Sequence, residues 1–166
     1  MRISRSFEYP ADPHAVAAMV ADPAFQARKC EATHAESHTE SVTPLGDSTQ
    51  IRTRRVMPTD DFPDFVRSMV GPKIAVSETY VWSAPAADGS RDGTVEVEVG
   101  DGKVPVAMTG TMTLRPGGPG SVVRIEGELK AKVPLIGGRI EKAAEPAVLD
   151  AIAKEREVGL EWLGAS

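Results

Sequence analysis

Residues 139–163 read RIEKAAEPAVLDAIAKEREVGLEWL, the longest helical pattern in the chain. Ile140, Ala144, Val148, Ile152 and Trp162 form one apolar stripe, and Leu149, Leu160 and Leu163 widen it. Gly137-Gly138 separates this helix from what precedes it. Pro146 removes a backbone donor inside it, so a kink or a restart is expected there. A single long amphipathic helix cannot bury its stripe alone. The fold therefore depends on what lies upstream.

What lies upstream is mostly strand. Residues 2–9 (RISRSFEY) place Ile3, Phe7 and Tyr9 at one parity, which reads as a first strand. Asp12-Pro13 and Asp22-Pro23 then each give an N-cap followed by a proline in the first helical turn. Two short helices are expected, over 13–21 and roughly 23–31, with Phe25 and Cys30 facing inward. Further strands are expected near 33–43, 48–57, 74–83, 93–99, 104–115 and 121–133. Turn residues separate them, and Gly100-Asp101-Gly102 has the look of a tight hairpin. Short connections between successive strands give an antiparallel meander. Residues 58–72 interrupt it with Phe62, Phe65, Val66, Met69 and Val70 at helical spacing. The pairing of the sheet does not require this insertion, which marks it as a movable cover.

The order strand, two short helices, six strands, long helix implies an α+β, helix-grip fold. A curved antiparallel sheet of about seven strands wraps the C-terminal helix, in one domain spanning 1–166. That order resembles the START-like superfamily, also known as SRPBCC, the birch-pollen-allergen-like and polyketide cyclase-like proteins. The segments FEYPADPHAVAAMVADPAF, VPLIGGRIEK and EREVGLEWL resemble, more narrowly, an uncharacterised family within it, found mostly in actinobacteria. The resemblance implies a cavity between sheet and helix that holds a lipid-like or polyketide-like molecule. It brings no catalytic residues with it.

Composition narrows the function further. Among 166 residues, 41% are hydrophobic and 26% charged, as in a globular protein. The net charge of −5 argues against general nucleic-acid binding, which needs a basic surface. No stretch of about 18 apolar residues suggests a membrane span. Cys30 is the only cysteine, which excludes an internal disulfide and fits a reducing compartment. With no apolar signal core near the start, the cytoplasm is the default location. The oligomeric state is not legible.

The candidate ligand-binding residues are Phe25, Phe65, Met69, Glu78, Tyr80, Trp82, Met108, Met112, Ile152 and Glu155. Met and aromatic side chains suit an adaptable apolar pocket, though the same residues could simply fill a core. Glu78 shares strand parity with Ile74, Val76, Tyr80 and Trp82. In a cavity it would be desolvated, its pKa raised, and it could orient a polar ligand group or act as acid or base. The plainer alternative pairs it with a nearby arginine. Glu155 raises the same question on the long helix. Arg52, Arg54 and Arg55 cluster on one strand; Arg52 and Arg54 share a face that could grip an anionic head group or could be a solvated outer surface. His34, Glu36 and His38 share a parity, but the two histidines would lie about 13 Å apart and no third ligand is evident. No metal and no cofactor are therefore expected. The leading reading is a noncatalytic binder of a small apolar molecule. The rivals are a cyclase- or dehydratase-type enzyme and an interaction module with a filled core.

Overall fold

The computed structural model describes residues 1–164. Strand β1 (Arg2–Tyr9) leads into helices α1 (Pro13–Val20) and α2 (Pro23–Ala32). Asp12 and Asp22 cap these helices by accepting from the amides of Ala15 and Ala24, each at 2.9 Å. Then come β2 (Ser37–Leu45), β3 (Ser48–Pro58), α3 (Asp64–Val70), β4 (Lys73–Trp82), β5 (Arg91–Val99), β6 (Val106–Gly117), β7 (Gly120–Ala131) and α4 (Gly137–Trp162).

The seven strands form one antiparallel sheet in the order β1-β7-β6-β5-β4-β3-β2. β1 closes one edge by pairing with β7, and β2 is the other edge. The inward face follows strand parity: Ile3, Phe7 and Tyr9 on β1, Ile51, Thr53 and Arg55 on β3, and Glu78, Tyr80 and Trp82 on β4 are buried. α4 lies across this face. Gly159 lets it come close to β1, because a Cβ there would stand 2.5 Å from the Tyr9 ring. Tyr9 also donates its hydroxyl hydrogen to the Glu155 carbonyl at 3.2 Å. α2 is fastened to the far end of α4 by edge-on packing of Phe25 against Trp162 and by the Arg28–Glu161 ion pair at 2.9 Å.

Four expectations need correction. α4 does not restart at Pro146 but runs as one helix through it, and it begins at Gly137 rather than Arg139. β2 begins at Ser37 rather than Thr33, because α2 continues to Ala32 and Thr33 caps it, donating its hydroxyl to the Cys30 carbonyl at 2.7 Å. His34 takes a left-handed backbone (φ 62°), so His34, Glu36 and His38 do not share one strand face. The Gly100-Asp101-Gly102 connection is a 3₁₀ turn, not a tight hairpin. All three residues have positive φ, and Asp101 receives both arms of Arg54 at 2.8 Å.

Candidate functional site

Between the sheet and α4 lies a cavity of about 590 Å³. Its wall is mainly aliphatic: Val76 from β4, Val95 and Val97 from β5, Met108 from β6, Leu129 from β7 and Ile152 from α4. The segment around α3 contributes Phe62, Pro63, Val66, Met69 and Val70. Met69 both lines the cavity and is 44% exposed, so the opening to solvent lies at α3.

One part of this apolar wall is ionic. Glu78 and Tyr80 reach it from β4, Arg55 from β3 and Glu155 from α4. Behind them stands Lys29 of α2, 3% exposed. Its ammonium donates to Glu78 at 2.5 Å and to Glu155 at 3.4 Å, and lies 3.5 Å from the Tyr80 hydroxyl. Tyr80 donates to Glu155 at 2.9 Å, and Arg55 stands 3.5 Å from the second oxygen of Glu78. Two cations thus face two carboxylates. Buried charges persist only when paired in this way.

The electrostatics follow from that pairing. Burial alone would raise the Glu78 carboxyl, but the charges of Lys29 and Arg55 outweigh it and hold the group at about 2. This reverses the sequence expectation of a raised pKa, and the arginine pairing set against it is present as Arg55. Burial would lower the Lys29 ammonium, yet Glu155 and Glu78 raise it above its ordinary value. Burial, then Glu155 and Glu78, push the Tyr80 phenol well up. At neutral pH Lys29 is charged, Glu78 ionised and Tyr80 a fixed donor.

Six of the ten residues singled out from sequence line the cavity: Met69, Glu78, Tyr80, Met108, Ile152 and Glu155. Four do not. Phe25 is fully buried in the α2–α4 seam against Trp162. The Phe65 ring is turned away and covered by the Arg139 guanidinium, 4.6 Å from its centroid. Trp82 and Met112 border a separate void of about 20 Å³, too small for an organic ligand. Arg52 and Arg54 are exposed on the outer face, and only Arg55 turns inward. Lys29, the centre of the ionic cluster, is not among the residues singled out from sequence. Its signal was its position one helical turn after Phe25, on the same face. Arg55 was likewise marked by sharing parity with Ile51.

A curved sheet gripping a long helix, with an internal cavity, defines the START class of fold. The comparisons agree. A protein of Thermus thermophilus, TTHA0849, is 17% identical with a TM-score of 0.59, covering 97% of each chain. A START superfamily protein of Mycobacterium smegmatis is 16% identical with a TM-score of 0.58, covering 98% of each chain. A STAR-related lipid transfer protein of Xanthomonas axonopodis is 15% identical with a TM-score of 0.51, covering 93% of this chain and 85% of its own. No curated protein matches the sequence. The chain belongs to the family described as "Protein of unknown function (DUF2505)", whose model matches residues 4–163. Among the described residues no helix is long and apolar enough to cross a membrane.

Proposed function

We propose that this protein binds one small, largely apolar molecule in the cavity between sheet and α4, with a neutral polar group of that molecule meeting Tyr80, Glu155, Glu78 and Arg55. The observation that carries this reading is a mainly aliphatic cavity of about 590 Å³ whose buried charged groups form one balanced cluster, the remaining charged lining, Asp61 and Asp150, being exposed. Pockets of this size and lining hold single small molecules and use a few polar groups to orient them. Because the cluster is already balanced, a ligand bringing its own charge would leave an unpaired buried ion. A hydroxyl, carbonyl or amide is accommodated instead. The name of the Xanthomonas relative, a lipid transfer protein, points the same way.

The pKa directions favour holding over turnover. A carboxyl held at about 2 is a poor base near neutral pH, and a phenol pushed well above its ordinary value keeps its proton. The void also disfavours an interaction module with a filled core. The segment 58–72 acts as the cover of the opening, and the protein acts inside the cell as a carrier or sensor. Native mass spectrometry of the protein as purified tests the reading. One co-purified neutral amphiphile per chain is expected. A chain that carries nothing and takes up no apolar molecule offered in excess would contradict it.

A further inference from the structure

A second cluster of chemistry-bearing side chains lies outside the cavity, on the other side of the α2–β3 contact. Cys30 lies in the last turn of α2 and is fully buried, one residue beyond Lys29. His38 and Glu40 stand two apart on edge strand β2, so their side chains project from the same face, toward α2. Their side chains are 22% and 16% exposed. The Cys30 thiol, a His38 ring nitrogen and a Glu40 carboxylate oxygen all fall within 4.8 Å of one another. Nδ1 of His38 is in direct contact with the Glu40 carboxylate. The other ring nitrogen, Nε2, lies 3.5 Å from the Glu31 carboxylate. The sequence offered His38 no convincing partner, because the third donor comes from a helix and not from the strand.

We propose that Cys30, His38 and Glu40 form a binding site for a zinc-class divalent transition-metal ion, fastening α2 to the free edge of the sheet. One sulfur, one imidazole and one carboxylate make a ligand set of the kind that selects zinc over magnesium or calcium. Bond lengths of about 2.0–2.3 Å from a common centre put tetrahedral donors roughly 3.2–3.8 Å apart. To reach that spacing the His38–Glu40 pair opens around the ion while the Cys30 sulfur, within 4.8 Å of both, completes the set. Glu31 supplies the outer carboxylate that orients a ligating histidine through its second nitrogen. Three protein ligands leave a fourth position, on the side where His38 and Glu40 meet solvent. None of the three ligands lines the cavity.

Cobalt(II) titration of the full chain, first stripped with chelator, tests this directly. One equivalent should produce the intense visible bands of a four-coordinate ion and a near-ultraviolet thiolate-to-cobalt band. Cys30 is the only cysteine, so that band can come from nowhere else in a monomer. Zinc should displace it stoichiometrically. Cys30→Ser should abolish the charge-transfer band, Glu40→Gln should weaken binding, and Glu31→Gln should weaken it roughly 10-fold. His14→Ala and His34→Ala should leave the spectrum unchanged. Absence of the thiolate band in the wild-type chain at saturating cobalt would overturn the proposal, whether or not the variants fold. So would binding that survives Cys30→Ser but is lost with His14 or His34.

Discussion

Replacing Lys29 by methionine keeps most of the side chain's length and removes its charge from the centre of the cavity cluster. Three partners lose their donor at once: Glu78 at 2.5 Å, Glu155 at 3.4 Å and the Tyr80 hydroxyl at 3.5 Å. Arg55 can still serve Glu78 from 3.5 Å. Glu155 keeps only the hydrogen bond from Tyr80, and the cluster goes from neutral to one negative charge. Breaking a buried ion pair by removing one partner costs about 3–5 kcal/mol, because the remaining charge is left uncompensated. For a chain of this size each kcal/mol shifts Tm by about 2–4 °C, so a fall of roughly 6–20 °C is expected. Lys29→Met/Glu78→Gln restores neutrality, leaving Arg55 and Glu155 as the two charges of the cluster. It should be more stable than the sum of the two single changes predicts, by at least about 1 kcal/mol. Urea unfolding at pH 7, followed by circular dichroism for the wild type, both singles and the double, measures this. If Lys29→Met costs under about 1 kcal/mol, or the two changes simply add, the cluster is not the coupled unit described.

Three further outcomes follow from the same structure. Glu78 titrates at about 2 in the fold against an ordinary value of 4.5, so its contribution to stability is complete above about pH 4.5 and disappears as pH falls toward 2. That contribution is on the order of 3 kcal/mol, and Glu78→Gln should flatten this part of the stability–pH curve; equal acid slopes in both proteins would refute it. Phe65→Ala, or Arg139→Ala beneath which Phe65 lies, should speed amide exchange across 62–70 while α4 stays protected; exchange rising throughout the chain would instead make α3 a fixed part of the core. Gly159→Ala should destabilise despite alanine's helix preference of about 1 kcal/mol, because the new methyl meets the Tyr9 ring at 2.5 Å; a stabilised variant in thermal melts would show that α4 and β1 do not pack as closely as described.

The fold was legible because its signals are local. Parity set the inward faces of β1 and β4, the Asp-Pro pairs set both helix starts, and the four-residue rhythm of 140–152 set α4. The errors fall where a short-range signal competes with tertiary context. Thr33 and His34 look like strand by composition, but a side-chain cap and a left-handed residue finish α2 instead. Gly100–Gly102 has hairpin composition, yet its Asp101 is held by Arg54 on a strand two away in the sheet.

The site was half legible for a related reason. Strand parity places Glu78 and Tyr80 together, and helix phase places Ile152 and Glu155 on the sheet side of α4. Neither tells how far along the sheet each helix docks. Hence Phe25, Trp82 and Met112, which have the right chemistry and burial, pack outside the large cavity. Lys29, a residue type that rarely goes inside unless paired, could be placed only once α2 was known to lie over the Glu78 carboxylate.

The central claim is that the space between sheet and α4 is a binding site rather than a packing defect. Titration with the neutral fluorescent probe N-phenyl-1-naphthylamine, on the wild type and on Ala144→Trp, tests it most directly. Ala144 lines the cavity from α4, and an indole there would fill much of the space beside Val148 and Ile152. The wild type should bind one probe per chain with saturable enhancement, and Ala144→Trp, still folded by circular dichroism, should lose at least 10-fold in affinity. Equal binding by both proteins, or none by the wild type, would contradict the claim.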